Sequence, residues 1–298
     1  MKYKKGFGSH VFDIFNHSFM VILMLTMIYP FWYILCVSVS NYEDVALGRI
    51  KLFPRGIHFS AYKLLLSAND IPLAFKNSVV YTVVGTFIVL FISTMTAYVL
   101  EQQYLPYRKF VIVLFTMTMF IPGGMIPSFL LIKNLGMYNT MWAIVLPGAF
   151  GVWNILIIRS NIRASVPKEL IDSAYIDGAS DWRIYFTIVL PLIKPILATI
   201  GLFVAVDRWN DFFGPLIYLN DSNKYPLQII LRKILITGET AKYWEKAAGP
   251  LAQSRQGIGF FETLKMATII ITIWPILLVY PFIQKYFVKG VLVGSLKG

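Results

Sequence analysis

Pro167-Lys168-Glu169-Leu170-Ile171-Asp172-Ser173-Ala174-Tyr175-Ile176-Asp177-Gly178-Ala179-Ser180, followed by Ile188-Val189-Leu190-Pro191, is a polar, charge-bearing stretch between the fourth and fifth of six apolar stretches. Ser165 offers an N-cap, Pro167 suits a first helical turn and Glu169 follows close behind. Leu170 with Ala174, and Ile171 with Tyr175, are i,i+4 pairs that give one apolar stripe. Gly178 stops that helix. Ser180 and Asp181 start a second one through Trp182, Tyr185 and Phe186, which ends at Leu190-Pro191. Apolar and aromatic side chains on a loop in water need a cover, and a soluble partner at the membrane surface would supply one. An amphipathic hairpin resting on the bilayer is the plainer alternative.

Composition fixes what surrounds this loop. The chain has 298 residues, 57% hydrophobic and 14% charged, against about 25% charged in soluble domains. Its mean hydropathy is +0.65. The net charge of +12 does not signal nucleic-acid binding, because no long basic stripe exists and the cations flank apolar runs. The single cysteine, Cys36, excludes a disulfide within the chain. The first apolar run, Phe19 to Val39, is too long for a signal sequence and reads as a retained span.

A bilayer core needs about 20 apolar residues per helix. Six stretches meet this, at 17–39, 78–100, 110–132, 140–158, 192–219 and 266–284. The third should bend, because it holds Pro122, Gly123, Gly124 and Pro127. Short-loop cations set orientation. Lys2, Lys4, Lys5, Arg108, Lys109, Arg159, Arg163, Lys168, Arg183, Lys285 and Lys289 fall on one side if both termini are cytoplasmic. The expectation is an all-α polytopic membrane protein, one transmembrane domain over 1–298. It has six spans, a cytoplasmic loop at 165–191, and outer loops at 40–77 and 220–265.

The cytoplasmic loop resembles the EAA loop of ABC importer permeases, whose pattern is E-A-A, three residues, G, nine residues, I-x-L-P. Asp172-Ser173-Ala174 stands for the triplet, with Asp for Glu and Ser for Ala, then Gly178, Ile188, Leu190 and Pro191 at matching spacing. Phe75-Lys76-Asn77-Ser78, Leu135-Gly136-Met137-Tyr138-Asn139-Thr140 and Trp209-Asn210-Asp211-Phe212-Phe213-Gly214-Pro215-Leu216 resemble the carbohydrate branch of that family. The C-terminal Tyr286-Phe287-Val288-Lys289-Gly290 resembles the second, maltose-type permease of a heterodimeric pair. The segment after Tyr225-Pro226-Leu227-Gln228 resembles the subgroup for oligosaccharides and polysaccharide fragments.

That resemblance implies a cell-membrane permease subunit of a binding-protein-dependent importer of carbohydrate, oligosaccharide in particular. Its implied partners are a second permease, two ATPase subunits and an extracytoplasmic solute-binding protein. ATP and magnesium would be bound by the ATPase subunits and no cofactor by this chain. Glu169, Asp172, Ser173, Ala174, Gly178, Ile188, Leu190 and Pro191 would couple to the ATPase. Ser295, Leu296, Lys297 and Gly298 would be the tip of a tail reaching between the ATPase subunits.

Asp207, Arg208, Asn210 and Asp211 interrupt the fifth apolar stretch. A rise of 1.5 Å per residue puts Asp207 about 22 Å along a helix from Leu192. Ionisable groups at such depth face a bundle interior or an aqueous cavity. Asp207, Trp209, Asn210, Asp211 and Phe213 would suit a sugar pathway, since sugar rings have apolar faces and polar rims. Helix packing by Asp207 and Arg208 is the heavier of the two open readings. The chain has no G-x-x-x-x-G-K-[ST], H-E-x-x-H or G-x-S-x-G pattern, no Cys/His cluster and no metal-ligand spacing among its histidines. Energy would therefore come from another subunit, and the chain is not expected to be an enzyme. A stand-alone secondary transporter using Asp207 and Asp211 for ion coupling is the alternative, though no internal repeat supports it.

Overall fold

The computed structural model describes residues 7–121, 123–237 and 255–295. Among them every regular element is helical and none is a strand. The chain divides into two compact units, one drawn from Met1–Asn69 and Lys233–Trp274, the other from Asp70–Arg232 and Pro275–Gly298.

In the first unit the Phe7–Ser38 helix is apolar along nearly its whole length, yet only Cys36, Val37 and Ser38 at its end are buried. Uncovered apolar surface of that extent fits lipid or another chain, not water. Its buried end packs with Ile50, Val45 and Met266. Trp32 donates to the Leu52 carbonyl at 2.6 Å, and the Ser38 and Tyr62 hydroxyls share a 2.7 Å hydrogen bond. Tyr42 lies edge-on to Phe260, with ring centres 4.9 Å apart. Gly259 passes so close to Tyr42 that an added Cβ would run into its carbonyl oxygen, so no larger residue fits.

The second unit is built around the Asp70–Glu101 helix. Pro72 sits in its first turn, where a missing N–H costs nothing. Small residues line its buried face, among them Ala74, Ser78, Gly85, Ser93 and Ala97, and they let neighbours approach closely. The Val152–Ser165 and Lys194–Asn210 helices pack on it. One apolar cluster gathers Tyr98, Leu100, Ile155, Ile158, Ile162, Ile184, Tyr185 and Val189. A second gathers Tyr81, Ile132, Ala143, Ile144, Val145, Tyr218 and Leu219. Beside the second cluster, Asn77 donates to the Asn223 carbonyl at 2.8 Å and Tyr81 to the Lys224 carbonyl at 2.8 Å. The Ser78 hydroxyl accepts from Leu227 N–H at 2.8 Å. Asn139, at a left-handed φ of 58°, accepts from the N–H groups of Asn220 and Asp221. Two segments distant in sequence, 75–78 and 135–140, thus hold one stretch, 220–227.

Several expected spans have different boundaries. The helices expected at 17–39, 78–100 and 266–284 are longer, at Phe7–Ser38, Asp70–Glu101 and Arg255–Ser295. The third bends as expected, with Arg108–Phe120 and Met125–Asn134 meeting at 111°; Pro122 lies outside the described residues. The stretch at 140–158 is not one helix. Trp142–Val145 stops before Pro147 and Gly148, whose φ is 71°, and Val152–Ser165 starts beyond Gly151. The stretch at 192–219 also breaks, because Asp211 is extended between Lys194–Asn210 and Phe213–Tyr218. By length and hydropathy three described helices can each cross a bilayer, or up to five spans exist if each bent pair is one. Of the outer loop expected at 220–265, residues 238–254 lie outside the described residues.

Candidate functional site

The loop at 165–191 forms a helix at Lys168–Ile176, a turn, and a second helix at Asp181–Ile184. Ser165 is not its cap, since it ends the preceding Val152–Ser165 helix, and Pro167 occupies the position before Lys168. Gly178 has φ 74°, a left-handed conformation that glycine adopts without Cβ strain, and open space surrounds it. Ser180 caps the second helix by accepting from Arg183 N–H at 3.4 Å. The chain continues through a π-helical turn, Tyr185–Val189, to Leu190–Leu192. There Asp181–Leu192 and Lys194–Asn210 meet at 80°. Pro195 lies just beyond that corner and lacks the N–H that would pair with the Pro191 carbonyl across it.

The first loop helix divides its faces. Ile171 and Ala174 pack on the apolar cluster, as do Ile188 and Leu190 further on. Glu169, Asp172, Ser173, Gly178 and Pro191 are exposed. Exposed apolar groups accompany them: Ile176 is 86% and Trp182 57% accessible, and Trp182 stacks on Phe186 at 6.0 Å. The eight residues assigned to coupling therefore separate into five that face outward and three that anchor the loop.

Two side-chain networks tie this loop and its neighbours together, and neither includes a residue expected to act in coupling or in the sugar pathway. Asp181 Oδ1 accepts from the hydroxyls of Tyr175 at 2.5 Å, Tyr104 at 3.1 Å and Tyr98 at 3.4 Å. Burial, and then the hydrogen bond to Asp181, hold the Tyr175 and Tyr104 phenols above the usual tyrosine range. The second network centres on Glu101, 15% exposed, which lies 3.1 Å from Arg159 Nε and 2.8 Å from Arg163 Nε. A lone acid closing a span, with two arginines four residues apart beyond a later span, is the sequence signal for this pair.

A cleft of about 460 Å³ opens beside the broken helices, lined in part by Asn154, Asp207, Arg208, Asn210, Asp211 and Phe213. That volume lies within the range of small-ligand sites. Arg208 is an anchor. It donates to the carbonyls of Ile144 at 2.6 Å and Pro147 at 2.9 Å, which the break after Val145 leaves without helical partners. Asp211 Oδ1 accepts from Phe213 and Gly214 N–H groups, both at 3.0 Å, and so closes the break on its own side. It leaves the helix there and shares no helical face with Asp207. Asn210 accepts from the Gln228 amide at 3.3 Å. Asp207 is exposed to the cleft. Trp209 does not line it, being buried edge-on against Phe75 at 5.9 Å. Of the expected tail tip, Ser295 ends the last helix and Leu296, Lys297 and Gly298 lie outside the described residues.

The profile of the family described as binding-protein-dependent transport system inner membrane component matches residues 71–293. The chain is 38% identical over 291 residues to the polygalacturonan/rhamnogalacturonan transport system permease protein YtcP of Bacillus subtilis (strain 168), covering 97% of this chain and 99% of that one. It is 39% identical over 291 residues to protein LplC of the same organism, covering 98% and 96%. Its fold is similar, at TM-score 0.87 and 33% identity over 95% of this chain and 99% of the other, to a chain in the crystal structure of a bacterial ABC transporter involved in the import of the acidic polysaccharide alginate.

Proposed function

The chain belongs to the family of binding-protein-dependent transport system inner membrane components, a membrane permease and not an enzyme, and from that premise we propose that it forms half of a carbohydrate import pathway. Its substrates are oligosaccharides, in keeping with the polysaccharide transporters among its relatives. Six spans cross the membrane with both termini in the cytoplasm, the 140–158 region counting as one of them. A second, related permease completes the pathway. Two ATPase subunits bind ATP and magnesium, and an extracytoplasmic binding protein delivers the sugar.

Residues 168–191 carry the coupling. Closure of the ATPase pair on ATP pushes Glu169, Asp172 and Ser173, and Ile188, Leu190 and Pro191 pass the displacement to the Lys194–Asn210 helix. The pathway then turns from inward-facing to outward-facing, and hydrolysis resets it. The observation that carries this reading is the split of one loop into an outward face, where Glu169, Asp172 and Ser173 stand beside uncovered Ile176 and Trp182, and an inward apolar anchor. Asp207, Asn210 and Phe213 on the cleft suit a sugar, and the substrate site is shared with the partner permease. Ion coupling through Asp207 and Asp211 is disfavoured, because Asp211 is engaged by two backbone donors.

Reconstitution with the partner permease, ATPase and binding protein tests the proposal. Labelled oligosaccharide should enter vesicles only with ATP at the ATPase face, and Gly178→Val should lose most uptake while leaving membrane insertion intact. Uptake driven by an ion gradient through this chain alone would overturn it.

A further inference from the structure

We infer that Asp181 is a positioning residue for coupling, holding the outward loop helix at a fixed angle to the membrane helices so that the two move together. This rests on the coupling role proposed for 168–191. That helix joins the bundle covalently at both ends, through the extended Val166–Pro167 link and through the Gly178 turn, which the Ala179 N–H closes by donating to the Ala174 carbonyl at 2.9 Å. These links fix where the helix begins and ends, and its tilt against the bundle is left to side-chain contacts. Packing by Ile171 and Ala174 resists removal of the helix but is non-directional, so it restrains the angle weakly.

Asp181 supplies direction. It lies beyond the glycine, and one carboxylate oxygen gathers a phenol from each of three places. Tyr175 is on the loop helix, Tyr98 on the Asp70–Glu101 helix, and Tyr104 on the turn that follows it. The 2.5 Å bond from Tyr175 closes a ring across Gly178. The other two fasten that ring to the bundle. Tyr98 is itself held in place, its ring 5.4 Å from that of Tyr185, whose hydroxyl shares a 2.6 Å hydrogen bond with Thr94. Hydrogen bonds to a carboxylate are short and angle-dependent, which suits a restraint on orientation.

The test uses the reconstituted four-component transporter and measures sugar moved per ATP hydrolysed. Asp181→Ala should lower that ratio about tenfold and Tyr175→Phe about threefold, the loss expected for charge-assisted hydrogen bonds. ATPase subunits should still co-purify in full. Asp181→Asn, which keeps an acceptor oxygen, should recover most of the ratio. In the Asp181→Ala background Tyr175→Phe should add nothing, since its acceptor has gone. An unchanged ratio in Asp181→Ala, or the same Tyr175→Phe loss in both backgrounds, would overturn the positioning role. So would loss of the ATPase subunits from Tyr175→Phe, which would make the cluster a docking surface. If Gly178→Val leaves uptake intact, the coupling role of the loop fails. If Gly178→Val abolishes uptake while Asp181→Ala keeps its ratio, only the positioning role fails.

Discussion

Arg163 holds Glu101 by two hydrogen bonds, Nε to Oε1 at 2.8 Å and Nη2 to Oε2 at 3.0 Å, pinning the end of the Val152–Ser165 helix to the end of Asp70–Glu101. Arg159 reaches the same carboxylate from one turn earlier, at 3.1 Å, and also donates to the Leu100 carbonyl. Removing Glu101 would leave the Arg159 guanidinium, 15% exposed, without its counter-charge. Glu101→Gln should destabilise the fold by about 3 kcal/mol. Arg163 is 54% exposed, so solvent screens its share, and Arg163→Ala should cost about 1 kcal/mol. Reversible unfolding of the purified protein in mixed micelles checks the ratio of the two.

Gly178 is constrained by its backbone and not by its surroundings. Asparagine adopts the left-handed region readily, whereas a β-branched residue meets a penalty of about 1–2 kcal/mol or more. Gly178→Asn should therefore keep most uptake and Gly178→Val should lose most of it, at equal membrane levels. Equal effects would show that the turn's conformation does not matter.

The two acids near the cleft should behave differently. Asp211 works through Oδ1 as an acceptor for two N–H groups, and asparagine caps equally well. Asp211→Asn should leave uptake near wild type, while Asp211→Ala should cost about 1 kcal/mol of stability. Gly214→Ala should disturb the same turn, because its Cβ would come 2.7 Å from Asp211 Oδ2. Asp207 faces the cleft, and Asp207→Ala should reduce uptake without lowering the amount of folded protein. Initial uptake rates against sugar concentration separate the cases.

Arg208 fills the polar needs of a broken span. Arg208→Ala would leave the Ile144 and Pro147 carbonyls unpaired and should cost about 3 kcal/mol. Gly85 borders the same side chain, with an added Cβ 3.4 Å from Arg208 Nε. Gly85→Leu should therefore produce a similar loss by displacing the guanidinium. Thermal unfolding of each variant, and of the double variant for non-additivity, tests the pairing.

The apolar stretches made the helical class and the long helices legible, because length and hydropathy report on the lipid that surrounds them. The breaks at Pro147-Gly148 and at Asp211 were not legible. Hydropathy averages over them, and what permits them is a guanidinium from one helix answering carbonyls of another. The motif spacing placed Gly178 and its neighbours, yet it could not show that Ala174, Ile188 and Leu190 turn inward. Tyr98, Tyr104 and Tyr175 gave no signal as a group, since their common acceptor lies up to 83 residues away in the chain. Trp209 looked like a sugar platform by composition alone, and its place against Phe75 depends on a contact between distant helices.

The docking of the 168–191 segment on the ATP-hydrolysing subunit can be measured directly. Cys36 is the one cysteine and can be replaced, leaving a single reporter at Ser173→Cys on the outward face of the loop. In the assembled transporter, a short bifunctional reagent should join that cysteine to the ATPase subunit, and the yield should change when ATP is added. A cysteine at Leu52, in the first unit and exposed, should give no such product. No ATPase adduct from Ser173→Cys, or an equal adduct from Leu52→Cys, would contradict the account.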